Sequence, residues 1–599
     1  MNLNQDKNLL FAIFAMLAVL GGWHYFYDMP RQEACAKEAA LKQQQEGAVI
    51  ASSQKAASAG VMANQVTAQG QSVPVPIVTT PAAYVQKQGA AIPGDTHRVQ
   101  IETPHLTGSL NLNGAVFDQL FLKNYRSSTE KNAPLVALWT AEGLTEKTLM
   151  DISWQGVAGE VPTMETRWQT NSQKLTPDSP LTLTWQSPNG LVYIRKIAVD
   201  ADYLFTVEDM VLNQGTVPTS LHAQARLHRI GTPQVSGYAV LHEGPIAHLD
   251  HKLHEVNYGD LQTDGFPKKE VTGGWVGFSD QYWLSALIPS QNNQIIPISE
   301  KATDDGVDTH TVGYRTMPKT LAPGQQMTVT HHCFGGAKIV TLLDSYEKKL
   351  DIEHLDKAVD FGWFYVVTKP IFYCLALLKD LLGNFGLAIL VLTILAKILF
   401  FPFANKSYRS MGRMRALQPK IKALQERYKD DKMQQHQEMM ALYKKEKANP
   451  MAGCLPMVVQ IPVFFALYKV LFIAIEMRHA PFFGWISDLS APDPTTLFNL
   501  FGLIPWTPPS FLMIGLWPLV MGLTMLWQQK LSPAPADPAQ EKAFLIMPVV
   551  FTYLFASFPA GLVIYWTWNN LLSICQQWWI MRQMAYASAG SDATATTKK

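Results

Sequence analysis

The chain has 599 residues and a net charge of +1, from 49 Lys and Arg against 48 Asp and Glu. A total so near neutral excludes recruitment by overall charge, and no pattern for direct nucleic-acid sequence recognition stands out; the length calls for more than one domain. Hydrophobic residues make up 48 %, gathered in long runs, which marks a membrane protein with a large water-exposed part.

Residues 1–27 read as an N-terminal membrane anchor. Leu9 to Tyr27 is apolar, ends in Trp23, Tyr25, Phe26 and Tyr27, and is followed by no small-x-small cleavage site. Residues 28–95 are rich in Ala, Gln, Ser, Val and Gly, a composition that cannot bury enough apolar surface to offset its ordering entropy, so a flexible linker is expected. Over 96–345 short alternating runs such as Leu181-Thr-Leu-Thr-Trp recur between turn residues, the pattern of an all-β sandwich. Within it His248, Asp250, His251, His254 and Glu255 cluster, but the spacing is generic. A solvated loop or helix face is expected there, and no metal. Trp275 to Pro289 reads as a core strand pair.

Residues 346–382 carry helical periodicity broken by Lys369-Pro370, expected as an interfacial amphipathic helix. The second span, 383–404, lies in the apolar run from Gly386 to Tyr408 and holds Lys397 near the middle of that run, with Thr393 a turn earlier. An ammonium at mid-depth costs about 2.5–3.5 kcal/mol, so it either lines a wet cavity or snorkels to the headgroups.

Residues 405–450 form a basic loop. Met414, Leu417, Ile421, Leu424 and Tyr428 make a helical seam, Asp431 is an expected N-cap, and Met433, Met440 and Tyr443 follow on a second helix. A helical hairpin results, presenting Arg413, Arg415, Lys420, Lys422, Arg427, Lys429 and Lys432; the positive-inside rule places it in the cytoplasm. Residues 451–581 supply spans three to six, with polar groups at Gln460, Lys469, Thr524, Gln528, Asn569, Asn570, Ser573 and Gln576 and aromatic residues including Phe464, Tyr565 and Trp566. Residues 582–599 read as a disordered cytoplasmic tail. Six spans put both termini inside and the β domain outside.

The five cysteines, Cys35, Cys333, Cys374, Cys454 and Cys575, form no CxxC pair. Zinc-motif and redox readings are unsupported, and no cofactor is expected.

The stretches MRALQPKIKALQERYKDDK, PMAGCLPMVVQIPVFFALYKVL, FPAGLVIYWTWNNLLSICQQ, GGWVGFSDQYWLSALIP and FGGAK resemble the YidC/Oxa family of membrane protein insertases over nearly the whole chain. The resemblance implies a polytopic α-helical membrane protein with a five-helix core around a hydrophilic groove, plus a periplasmic β supersandwich. It also implies residence in the bacterial inner membrane, no catalytic residue, and partners in nascent membrane proteins, the Sec translocon with its accessory proteins, the ribosome or targeting machinery, and the lipid bilayer. The family's groove charge, usually Arg, falls at Lys397, with Thr393, Gln460 and Asn569 as polar companions. Phe464, Trp566 and Tyr565 lie on the helices that face clients. An ion- or solute-coupled transporter using Lys397, and a membrane-anchored carbohydrate-active protein using the β domain, are the competing classes.

Overall fold

A computed structural model describes residues 97–596, apart from 131, 141–146, 158, 234–240, 363–364, 430, 447–454, 503, 505, 507, 510–511 and 533–537. The expected anchor and linker, with Cys35, lie outside the described residues. Two compact units divide the chain: residues 84–407, 454–531 and 548–599 form one, and the other takes in 408–453 and 532–547.

In the first unit, strict alternation builds strands. Along Leu191–Val199 every second residue is buried, Arg195 among them. An eleven-stranded and a nine-stranded sheet result. Thr219–Ile230 pairs antiparallel with Lys147–Gln155 and Val307–Thr316 in one. Leu204–Asn213 pairs with Leu191–Val199 and Gln326–Ala337 in the other. Their inner faces meet: the rings of Phe117 and Phe205 stand edge to face at 5.5 Å, and buried Trp139 donates from Nε1 to Ser285 Oγ at 3.0 Å. Each fully buried aromatic contributes about 1.5–3 kcal/mol of transfer free energy. The Trp275–Pro289 stretch is a hairpin of Trp275–Ser279 and Trp283–Pro289.

The histidine-rich stretch is mostly strand, with only Asp250 and His251 in an exposed turn. Gly244–Leu249 and Lys252–Glu255 pair as a hairpin, turned by Asp250 and His251 at φ 52° and 62°, the left-handed pair a two-residue primed turn requires.

The interfacial segment is not one helix. α1 (Val340–Leu350) ends where Asp351 turns left-handed at φ 52°, a single 3-10 turn covers Leu355–Ala358, and α2 (Tyr365–Leu382) follows with Pro370 inside. Lys369 of α2 ties these pieces together, reaching Asp344 at 2.9 Å and Asp356 at 2.5 Å.

α3 (Phe385–Leu399) begins at Asn384, whose side chain accepts from the Leu387 N–H at 3.1 Å. It stops just before Pro402, which lacks an N–H and would crowd the carbonyl four residues back. α4 (Phe401–Arg427) follows at a 69° bend. The segment expected as the second span, 383–404, therefore has a helix break at Phe400, and Lys397 occupies the last turn of α3. Among the described residues no single helix is long and apolar enough to cross a membrane, while this bent pair passes the same test together.

The remaining helices, leaving the second unit's α5 for below, are α6 (Leu455–Ile473), α7 (Leu516–Leu531), α8 (Pro538–Phe555) and α9 (Ala560–Thr596). α9 packs against α3, α6 and α7, and α2 against α3 and α6. The FPAG turn is pinned from outside itself, Ala560 N donating to Ala491 O at 2.8 Å and Gly561 N to Leu489 O at 3.0 Å. α9 continues to Thr596, so most of the tail expected to be disordered is helical; its Ala-rich stretch favours helix.

In the second unit, α5 (Lys432–Lys445) starts at Asp431, whose carboxylate accepts from Met433 N and Gln434 N at 3.1 and 3.0 Å. Met414, Leu417 and Ile421 pack against Met439, Leu442 and Tyr443. Met440, expected on the second helix, is 40 % exposed, and its neighbour Met439 packs inward.

Candidate functional site

The site grows from the contact between α3 and α9. Trp568 anchors it, donating from Nε1 to the Leu390 carbonyl of α3 at 3.2 Å. Asn570 and Gln577, seven residues apart on one face of α9, turn to α7, donating to Thr524 Oγ1 at 3.2 Å and Leu531 O at 3.0 Å. With that face committed, Asn569, Ser573 and Gln576 share another, since residues spaced by four and three stack along a helix. Lys397 meets this stripe: its Nζ donates to Ser573 Oγ at 2.8 Å, and that hydroxyl donates to the Asn569 carbonyl at 2.7 Å.

Among the described residues no carboxylate stands within salt-bridge distance of Lys397. Its place in the last turn of α3 sets the ammonium near the negative end of the helix dipole, a favourable but partial compensation. On the facing stripe the Asn569 Oδ1 and the Gln576 Nε2 are buried with no hydrogen-bond partner among the described residues. A buried polar atom left unpaired costs about 1–3 kcal/mol, so this stripe has room for polar company that the described residues do not supply.

The sequence-derived companions divide. Asn569 is on the stripe. Thr393 is buried and spends its hydroxyl on the Ile389 carbonyl of its own helix at 2.7 Å, so it offers Lys397 no hydrogen. Gln460 donates to the hydroxyl of Tyr565, bridging α6 and α9. Tyr565, expected to contact clients, is 2 % exposed. Phe464 and Trp566 pack edge to face at 4.8 Å and with Phe555 at 6.2 and 5.1 Å, a half-buried aromatic cluster. Ser573 was absent from the expected set, although its spacing from Asn569 and Gln576 was visible in the sequence. Lys469 is separate: it pairs with Asp360 at 2.8 Å.

On the hairpin, Arg413, Arg415, Lys420, Lys422, Arg427 and Lys429 are exposed, with Lys420 reaching Glu446 at 2.8 Å; Lys432 heads α5.

Residues 98–374 match the family described as YidC periplasmic domain, and 377–587 the family described as 60Kd inner membrane protein. A membrane protein insertase YidC of Methylobacterium radiotolerans is 44 % identical over 597 residues, covering 97 % of this chain and 95 % of the relative. That of Brucella suis biovar 1 is 44 % identical, covering 97 % and 96 %. That of Granulibacter bethesdensis is 48 % identical over 505 residues, covering 82 % and 87 %.

Proposed function

Taking as premise that this chain belongs to the YidC family of membrane protein insertases, we propose that Lys397 on its Asn569–Ser573–Gln576 stripe is the charge that receives the client. The protein is an insertase of the inner membrane with a periplasmic β-rich domain and a helical C-terminal part. The observation that carries the finer reading is a lysine inside an apolar helix, facing a polar stripe and no carboxylate among the described residues.

The chemistry is binding rather than bond-making. An acidic or polar residue at the translocating end of a nascent membrane protein replaces the Ser573 hydroxyl at the ammonium, and Asn569 and Gln576 take up further polar groups of the client. The stripe thereby lowers the desolvation cost of bringing that end part-way across. The client's apolar segment then leaves sideways past the Phe464–Trp566 cluster into lipid, which drives the step. Lys in place of the family's usual Arg keeps the charge but gives up the planar fork, so carboxylates are held as by a point charge.

The arrangement in the membrane follows the positive-inside rule: six spans, the second of them over 383–404, both termini and the basic hairpin cytoplasmic, the β domain periplasmic. Arg413, Arg415, Lys420, Lys422, Arg427, Lys429 and Lys432 attract the ribosome or targeting machinery by charge. The β domain docks the Sec translocon's accessory proteins.

The test uses purified protein in liposomes with a short acidic-tailed membrane protein synthesised alongside. Protection of the translocated tail from protease is expected for wild type and Lys397→Arg and lost in Lys397→Ala. Equal protection in all three would remove Lys397 from the mechanism.

A further inference from the structure

Two segments far apart in the chain bring histidines and a carboxylate together in the β-rich domain. His248 lies on the Gly244–Leu249 strand, and its ring is 1 % exposed, with Nε2 buried and without a hydrogen-bond partner among the described residues. Glu353 and His354 come from the link between α1 and the Leu355–Ala358 turn. The ligand-type atoms of His248, Glu353 and His354 all lie within 4.8 Å of one another. The imidazoles of His248 and His354 stand edge to face, centroids 5.3 Å apart.

The neighbours hold this set in place. Trp275, buried beside His248 in strand register, donates from Nε1 to the Glu353 carbonyl at 3.3 Å. His251, at the tip of the hairpin, meets Glu353 Oε2 at 2.7 Å through Nδ1 and so orients the carboxylate. A second grouping, Glu347, His354 and Asp356, shares His354, but there the Lys369 ammonium already neutralises Asp356 at 2.5 Å.

We propose that His248, Glu353 and His354 form a binding site for a divalent transition-metal ion of the zinc type, with His251 as the residue that orients the carboxylate. The chemistry of the donors selects the class: two imidazoles and one carboxylate suit a borderline ion such as Zn2+, which takes such a set with a fourth position left to water or to an outside donor. Glu353 and His354 are partly exposed, so small side-chain rotations close the set to the roughly 2.0–2.2 Å bonds zinc makes with N and O. An imidazole ligates through a free ring nitrogen, and the buried Nε2 of His248 has no hydrogen-bond partner among the described residues to compete with an ion. The ion would staple the hairpin to the link that leads into α2, so the site is one of cross-linking as much as of binding.

The test uses the full-length protein in detergent, without a polyhistidine tag and stripped with chelator. Zn2+ alone is added by equilibrium dialysis and counted by elemental analysis, and Co2+ is added separately for its visible ligand-field bands. One Zn2+ per chain is expected. Glu353→Gln and His354→Gln should each weaken binding by roughly tenfold or more and erase the Co2+ bands, and His251→Ala by about 10–100-fold. His254→Gln, on the opposite face of the same hairpin, should retain the ion. Because Glu353 and His354 are partly exposed, their variants report even where His248→Gln fails to fold. Less than one Zn2+ per wild-type chain, or binding that Glu353→Gln and His354→Gln leave unchanged, overturns the assignment.

Discussion

Lys397 and Ser573 are 176 residues apart in the chain, yet the ammonium of one and the hydroxyl of the other stand 2.8 Å apart across the α3–α9 contact. A neutral hydroxyl satisfies one of the three ammonium hydrogens and leaves the charge open to a better acceptor.

Placing a carboxylate at that hydroxyl should close the site. Ser573→Asp supplies the ion pair from within, and an acidic client must then displace a charge rather than a dipole. Insertion of acidic-tailed clients is expected to slow by about tenfold, equivalent to ~1.4 kcal/mol, while Ser573→Ala stays near wild type. The rate of appearance of protease-protected tail reads both; an unslowed Ser573→Asp would mean that clients do not use Lys397.

A buried pair holds the β domain together. Arg195 and Asp209, each side chain 1 % exposed, meet at 2.6 Å, and Arg195 Nη2 also donates to the Ile152 carbonyl of the other sheet at 2.7 Å. Arg195→Met strands a buried carboxylate and should cost about 3–5 kcal/mol, whereas Arg195→Met with Asp209→Leu should recover most of it. Urea midpoints followed by tryptophan fluorescence decide this, and equal loss in the single and double variants would refute it.

Acid should weaken the same domain through His331. Its ring is fully buried against Tyr314, and burial pushes its value from 6.5 down to about 4. The unfolded chain therefore takes up a proton below about 6.5 that the folded chain refuses until about 4. The stability due to neutral His331 is complete above the upper value and is lost as pH falls through this window. At 1.36 kcal/mol per pH unit the loss reaches about 3 kcal/mol by pH 4. The stability difference between wild type and His331→Gln, measured from pH 7 to 4.5, should shrink steadily with falling pH; a constant difference would show that His331 is protonated in the fold.

Glycine in the FGGAK stretch has a steric reason. A Cβ at Gly336 would collide with the ring of Tyr203, and one at Gly335 would come within 2.8 Å of the buried Trp139 ring. Gly336→Ala should cost about 1–3 kcal/mol by overpacking. Thermal melting checks the size, and an unshifted midpoint would mean that Tyr203 can swing aside.

Features held within one turn or one strand were legible. The alternation of Leu191–Val199 and the capping carboxylate of Asp431 depend on residues a few positions apart, and the structure has them. The strand character of Lys252–Glu255 was hidden because four residues with a single apolar member, Leu253, are too few to show a period of two. Whether Lys397 sat inside a helix or near its end was left open by hydropathy, which is blind to the break before Pro402 that ends α3 at Leu399.

What the sequence determined by itself is whatever local chemistry dictates: apolar runs, alternating strands, the basic hairpin, and a lone lysine that needs an explanation. Its resemblance to an insertase family rests on that same linear order of residues. Which group meets the lysine was decided only by the tertiary structure. Asn569, Asn570, Ser573 and Gln576 are all polar and all on α9, and composition cannot say which face turns to α3. The rotation of α9 is set by Trp568 on the Leu390 carbonyl and Asn570 on Thr524, contacts between residues 178 and 46 positions apart in sequence. Once those are made, a helix of 3.6 residues per turn leaves Ser573 facing Lys397 and turns Asn570 away.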